Sequence, residues 1–194
     1  MNLWNSSDSS AWNNALDAYN AVIRAQDVNR LVELDRWYHT ELPQAIKSRP
    51  EPHVTDTELA QLTEWKMKRG EWRARNLVLV KSNTPDQVIE VSTAGLAAIP
   101  HPTKPISTIA TLAGVGPATA SAVVAAFAPE QYPFFDELVA AQVPQLGDVK
   151  WTLGYYAKYA TALRDKATEL GRPFTPATVE RALWANSGGK TGRG

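Results

Sequence analysis

At 194 residues, with 44% hydrophobic and 21% charged residues, the chain is long enough to bury one sizeable apolar core. Twenty basic residues balance twenty acidic ones, so it is not a uniformly basic nucleic-acid binder, and any charge-driven contact must come from local sorting. Cysteine is absent, which excludes disulfides, thiol catalysis, iron–sulfur clusters and thiolate zinc sites. The three histidines (His39, His53, His101) lack metal-ligand spacing, so no protein-held catalytic metal is expected.

The first ten residues lack the basic start and apolar stretch of a signal peptide, and no apolar run approaches the roughly 20 residues of a membrane span. The expected address is intracellular, and nuclear in a eukaryote. Helix signals then follow one another almost without strand alternation. Trp12, Leu16, Tyr19 and Ile23 form one stripe on a helix starting near Ser10. A second helix is expected over residues 27–42, with Pro43 behind it, then a proline-broken connection over 47–53. Thr55 and Glu58 form a capping box for a helix running towards Lys68. Gly70 separates it from a helix expected over 71–80. Thr84, Pro85 and Gln87 combine an N-cap, a first-turn proline and a glutamine at N3. Residues 99–105 are expected to be loop. Leu153, Tyr156, Ala160, Leu163, Ala167 and Leu170 repeat at helical spacing until Gly171 and Pro173 stop them. Thr175 and Pro176 open a last helix to about Ala185. The predicted class is all-α, with one helical unit over 1–186 and a disordered tail over 187–194. The tail's Gly189-Lys190-Thr191 is no phosphate-binding loop, because that pattern requires glycine where Trp184 stands and a preceding strand. No internal repeat of 20–50 residues is visible.

Residues 107–127 carry the most specific signal. A short helix containing Ile109 and Leu112 runs into Gly114-Val115-Gly116, and Pro117 opens a new helix through Thr119, Val123 and Phe127. Two glycines about one apolar residue permit a sharp turn, with positive φ available at both, and proline suits a helix start because its missing N–H is no loss there. Such a turn presents backbone amides beside the positive end of a helix, a natural cradle for phosphate. The same residues also suit a plain helical turn in which glycine only permits close packing.

Leu112-x-Gly114-Val115-Gly116-x-x-Thr119-Ala120 resembles the hairpin of the helix-hairpin-helix DNA glycosylase superfamily. The likeness is close over 107–137 and elsewhere is only a compatible all-helical layout. It implies a two-lobed helical bundle whose lobes share a cleft, with Gly114, Val115, Gly116, Ala118 and Thr119 against DNA. In that superfamily a catalytic aspartate follows the hairpin. Asp136 stands 18 positions after Ala118 (136 − 118), which matches the endonuclease III type of spacing. Its carboxylate would stabilise an oxocarbenium-like sugar or orient water. An N-cap role also suits Asp136. Bifunctional relatives carry a Schiff-base lysine where this chain has Ala118, so a water-using enzyme without lyase activity is implied, and nothing in the sequence favours Lys104 or Lys150 as a substitute. The resemblance also implies a sodium or potassium ion on the carbonyls of Ala110, Leu112 and Val115, and no other cofactor.

Residues 65–75 hold five basic residues against one acidic. Lys66, Lys68, Arg69, Arg73 and Arg75 are candidates for phosphate contact, although two solvated helix ends are the plainer reading. Trp37, Tyr38, Trp65 and Trp72 are candidate walls of a base pocket, with His39 a candidate donor to the base, although aromatics at helical spacing are usually core. Trp151, Tyr155, Tyr156 and Tyr159 are assigned to packing. Three functions compete: a monofunctional N-glycosylase of base excision repair acting on a flipped damaged or mispaired base; a non-catalytic helix-hairpin-helix DNA-binding or scaffold protein; and a helical protein–protein adaptor. The expected state is a monomer bound to DNA, with no membrane association.

Overall fold

The computed structural model describes residues 2–190, and among these there are ten α-helices and no strand. They are α1 (Ser9–Ala25), α2 (Leu31–Ser48), α3 (Asp56–Arg69), α4 (Ala74–Val80), α5 (Pro85–Ala97), α6 (Lys104–Ile109), α7 (Pro117–Phe127), α8 (Glu137–Ala140), α9 (Leu153–Leu170) and α10 (Pro176–Asn186). The fold is all-α. No helix among the described residues is long and apolar enough to cross a membrane.

Local chemistry accounts for most boundaries. Full capping boxes start α3 at Thr55 and α5 at Thr84, each side chain and its N3 partner satisfying a backbone amide that the helix leaves open. Gly171, at φ +74, ends α9. Several expectations fail, among them the loop expected over 99–105, whose last two residues, Lys104 and Pro105, open α6. Helix α2 begins at Leu31 rather than near Asp27, because Asp27 and Arg30 both take left-handed backbone, and it continues past Pro43 to Ser48. A proline inside a helix forfeits one hydrogen bond. Here Leu42 and Ile46, both fully buried on either side of it, hold the helix in the core. Helix α4 starts only at Ala74, so residues 71–73 lie exposed outside regular structure. The tail expected to be disordered is docked over 187–190, where the Gly188 carbonyl accepts from Gln26 Nε2 at 3.0 Å; residues 191–194 lie outside the described residues.

The first and last helices pack on each other, α10 lying along α1 and against α8 and α9. Helix α7 is the centre, packed on α2, α3 and α6. Every residue from 118 to 126 is buried, and so many are alanine that neighbouring helices approach closely. The Tyr38 hydroxyl donates to the Ala122 carbonyl at 2.7 Å, giving the α2–α7 contact a polar lock. One continuous apolar cluster runs through all these helices.

Candidate nucleic-acid cleft

The turn between α6 and α7 is held from outside. Gly114 has φ +73, and a Cβ there would lie 2.7 Å from the Asn76 carbonyl oxygen and 2.8 Å from the Val80 nitrogen. Glycine is thus required twice, for its left-handed backbone and for the closeness of α4. The Asn83 side chain reads both backbone groups of Ala113: its Nδ2 donates to the carbonyl at 3.0 Å, and its Oδ1 accepts from the amide at 2.9 Å. Gly116 departs from expectation, with φ −96 rather than positive, and a Cβ there would meet nothing within 4 Å. It is an exposed N-cap without a side chain. The amides of Gly116, Ala118 and Thr119 have no acceptor among the described residues. The side chains of Val115, Ala118 and Thr119 are buried, so these three residues reach a ligand through backbone only.

Those amides front a cleft of about 230 Å³, whose opposite wall is Lys66 of α3, Arg73, Asn76 and Trp151. An adjoining recess of about 50 Å³ shares Lys66, Arg73 and Trp151 and has Asp136 with Phe134 and Phe135 on its far side. The hairpin and the aspartate therefore line two adjoining spaces that share these three wall residues. The recess has room for a few waters, each needing ~10–15 Å³.

Asp136 is held rigidly. The Tyr159 hydroxyl donates to the Phe134 carbonyl at 2.7 Å, and the Tyr156 hydroxyl donates to the Pro133 carbonyl at 3.1 Å. The Phe135 amide donates to Ser121 Oγ of α7 at 2.9 Å. Asp136 then caps α8, its Oδ1 accepting from the Leu138 amide at 2.8 Å and the Val139 amide at 3.4 Å. Its Oδ2 takes no hydrogen bond from the described residues. The tyrosines assigned to packing thus carry the aspartate's segment, a role invisible at their helical spacing.

Lys66 is the cation closest in role to that carboxylate. It is partly buried, with no hydrogen bond or ion pair among the described residues. Burial pushes its amine below the usual lysine range; Arg73 pushes the same way, and Asp136, Glu137 and Glu71 oppose. Arg73 stands at the rim, paired with Glu71 at 2.7 Å where both are half exposed, so the pair is weak and easily exchanged for a phosphate.

The remaining expected contacts lie elsewhere. Arg69 is 1% exposed and pairs with Glu180 at 2.6 Å inside a cage of Trp184, Phe134, Trp65 and Tyr19, so it cannot reach a phosphate. Lys68, two positions from Lys66, turns to another face and lies against Glu64 and the Trp72 ring. Arg75 is exposed but lines neither part of the cleft. Trp65 and Tyr38 are core, stacked at 3.7 Å, so neither is a pocket wall; Trp37 packs on the same core. His39 is held neutral by burial and by Arg181 and Arg69, and its Nε2 lies 3.3 Å from the Tyr19 hydroxyl, away from the cleft. Trp72 is half exposed but lies outside the cleft walls. The aromatic that does face the cleft is Trp151, 44% exposed and tilted on Phe135 at 4.9 Å. No local signal separated it from a packing residue. Lys104 and Lys150 are exposed and outside the cleft. At the turn, the Leu112 carbonyl accepts from the Val115 amide at 3.1 Å, while those of Ala110 and Val115 accept nothing from the described residues, which leaves oxygen lone pairs free for a monovalent cation.

No family model, curated protein or solved structure matches this chain.

Proposed function

We propose that this chain is a monofunctional DNA N-glycosylase of base excision repair, of the two-lobed helix-hairpin-helix kind. The observation that carries the reading is that three unused amides at the start of α7 and Asp136 line adjoining spaces with Lys66, Arg73 and Trp151 in common. A sugar–phosphate chain entering it places a phosphate on the amides of Gly116, Ala118 and Thr119, with Arg73 and Lys66 supplying charge. A sodium or potassium ion on the carbonyls of Ala110, Leu112 and Val115 would add positive charge at the same turn. The extruded nucleotide then lies against Trp151 in the wider cleft, with the water-sized recess between it and the aspartate, and flipping is least costly for a damaged or mispaired base. As the base leaves, the sugar gains positive charge; Asp136 stabilises it, and its free Oδ2 orients water towards C1′.

The test incubates the protein with duplexes holding uracil, hypoxanthine, alkylated adenine or oxidised guanine, followed by alkali. Cuts at one lesion that vanish in Asp136→Asn are the expected result. Duplex binding without cuts identifies a non-catalytic DNA binder, and neither binding nor cuts overturns the reading.

A further inference from the structure

We infer that Lys190, on the docked C-terminal tail, holds a second phosphate of the DNA strand, on the side of Asp136 away from the hairpin. This rests on the DNA-processing reading above. Asp136 lines two recesses. The smaller one adjoins the hairpin cleft and shares Lys66, Arg73 and Trp151 with it. The larger, of about 380 Å³, has Gly70, Glu71, Glu137, Leu138 and Lys190 as its other walls and shares no residue with the hairpin cleft. Lys190 is the one basic residue lining it, and it makes no hydrogen bond or ion pair among the described residues.

Two glycines bring Lys190 to this place. After α10, Gly188 and Gly189 both take left-handed backbone, at φ +75 and +65, which turns the chain back on the fold. The Gly188 carbonyl accepts from Nε2 of the buried Gln26, and the Gly189 amide donates to the Trp184 carbonyl at 3.3 Å. A Cβ on Gly189 would lie 2.6 Å from Gln26 Nε2 and 2.8 Å from the Trp184 ring, so only glycine seats the tail here. Lys190 itself is exposed; the fold anchors the backbone before it and leaves its amine in solvent. The nucleotide on which Asp136 acts carries a phosphate on each side of its sugar. The hairpin amides, with Lys66 and Arg73, take one. Beyond Asp136 the strand meets Glu71 and Glu137, carboxylates that repel the second phosphate, and Lys190 is the cation set among them. An ammonium on a flexible stem binds phosphate as a point charge, fixing position without reading sequence.

The experiment measures the salt dependence of binding by the full chain to a duplex with a central tetrahydrofuran, an abasic-site analogue. Two further duplexes carry a neutral methylphosphonate in place of the phosphate on one side of that residue or the other. On the all-phosphate duplex, Lys190→Ala should make the slope of log affinity against log salt shallower by about 0.9, and Lys190→Arg should keep it. Gly189→Ala, which retains the charge but displaces the tail, should match Lys190→Ala. On one methylphosphonate duplex Lys190→Ala should have no effect, and on the other Arg73→Ala should have none. An unchanged slope or tighter binding in Lys190→Ala overturns the assignment while duplex binding stands, and so does cancellation of both variants by the same methylphosphonate. Normal behaviour of Gly189→Ala overturns the part given to the docked tail. No binding by the unmutated chain overturns this assignment and the DNA-processing reading together. Lys190 is exposed, so its variants fold.

Discussion

Ser121 Oγ, buried on α7, accepts the Phe135 amide at 2.9 Å and donates to the Ala118 carbonyl at 2.7 Å. One hydroxyl therefore ties the segment that ends in Asp136 to the first turn of the helix whose free amides face the cleft. Ser121→Ala should leave the Phe135 amide buried and unsatisfied, at a cost of about 1–3 kcal/mol. Base release should fall more than this loss of folded protein explains, because the aspartate shifts relative to the hairpin. Denaturant unfolding beside the lesion assay separates the two effects.

Gly114 and Gly116 should behave as opposites. Gly114→Ala pays roughly 1–2 kcal/mol for left-handed backbone alone and further for the clash with α4, lowering the thermal midpoint. Gly116→Ala meets no neighbour and should change stability by no more than about 0.5 kcal/mol. Gly116→Glu should fold normally yet lose duplex binding, since it sets a carboxylate against the phosphate. Normal binding by that variant would remove the hairpin from the interface.

Arg69 contributes to the core. Removing one partner of a buried ion pair costs about 3–5 kcal/mol, so Arg69→Met should be strongly destabilising near neutral pH. Burial pushes the Glu180 carboxyl up to about 7 against the pull of Arg69. A folded-state value above the unfolded one means that stability is greatest in acid and is lost as pH rises through the folded value. Without Arg69 that value climbs further. The melting temperature of Arg69→Met should therefore keep falling between neutral and mildly alkaline pH, and Arg69→Met with Glu180→Gln should show no such slope. For duplex binding, Arg73→Ala should lessen the salt dependence, whereas the Arg69→Met/Glu180→Gln double variant should leave it unchanged.

Much of this molecule follows from neighbours in sequence. The capping boxes at Thr55 and Thr84, the stop at Gly171 and the turn before Pro117 depend on hydrogen bonds and dihedral limits spanning a few residues, and all of them were legible. The spacing of the hairpin from Asp136 was legible too. Which charges face the cleft was not. Lys66, Lys68 and Arg69 look alike in the chain, yet one lines the cleft, one lies on Glu64 and one is sealed against Glu180, 111 positions away. Trp65 and Trp151 likewise divide into core and cleft wall. A helix sets only the angle between its side chains, whereas burial depends on what distant segments bring against each face. Local sequence thus determined the elements and their caps, and only the packing of α7 among α2, α3 and α6 decided which residues share the cleft.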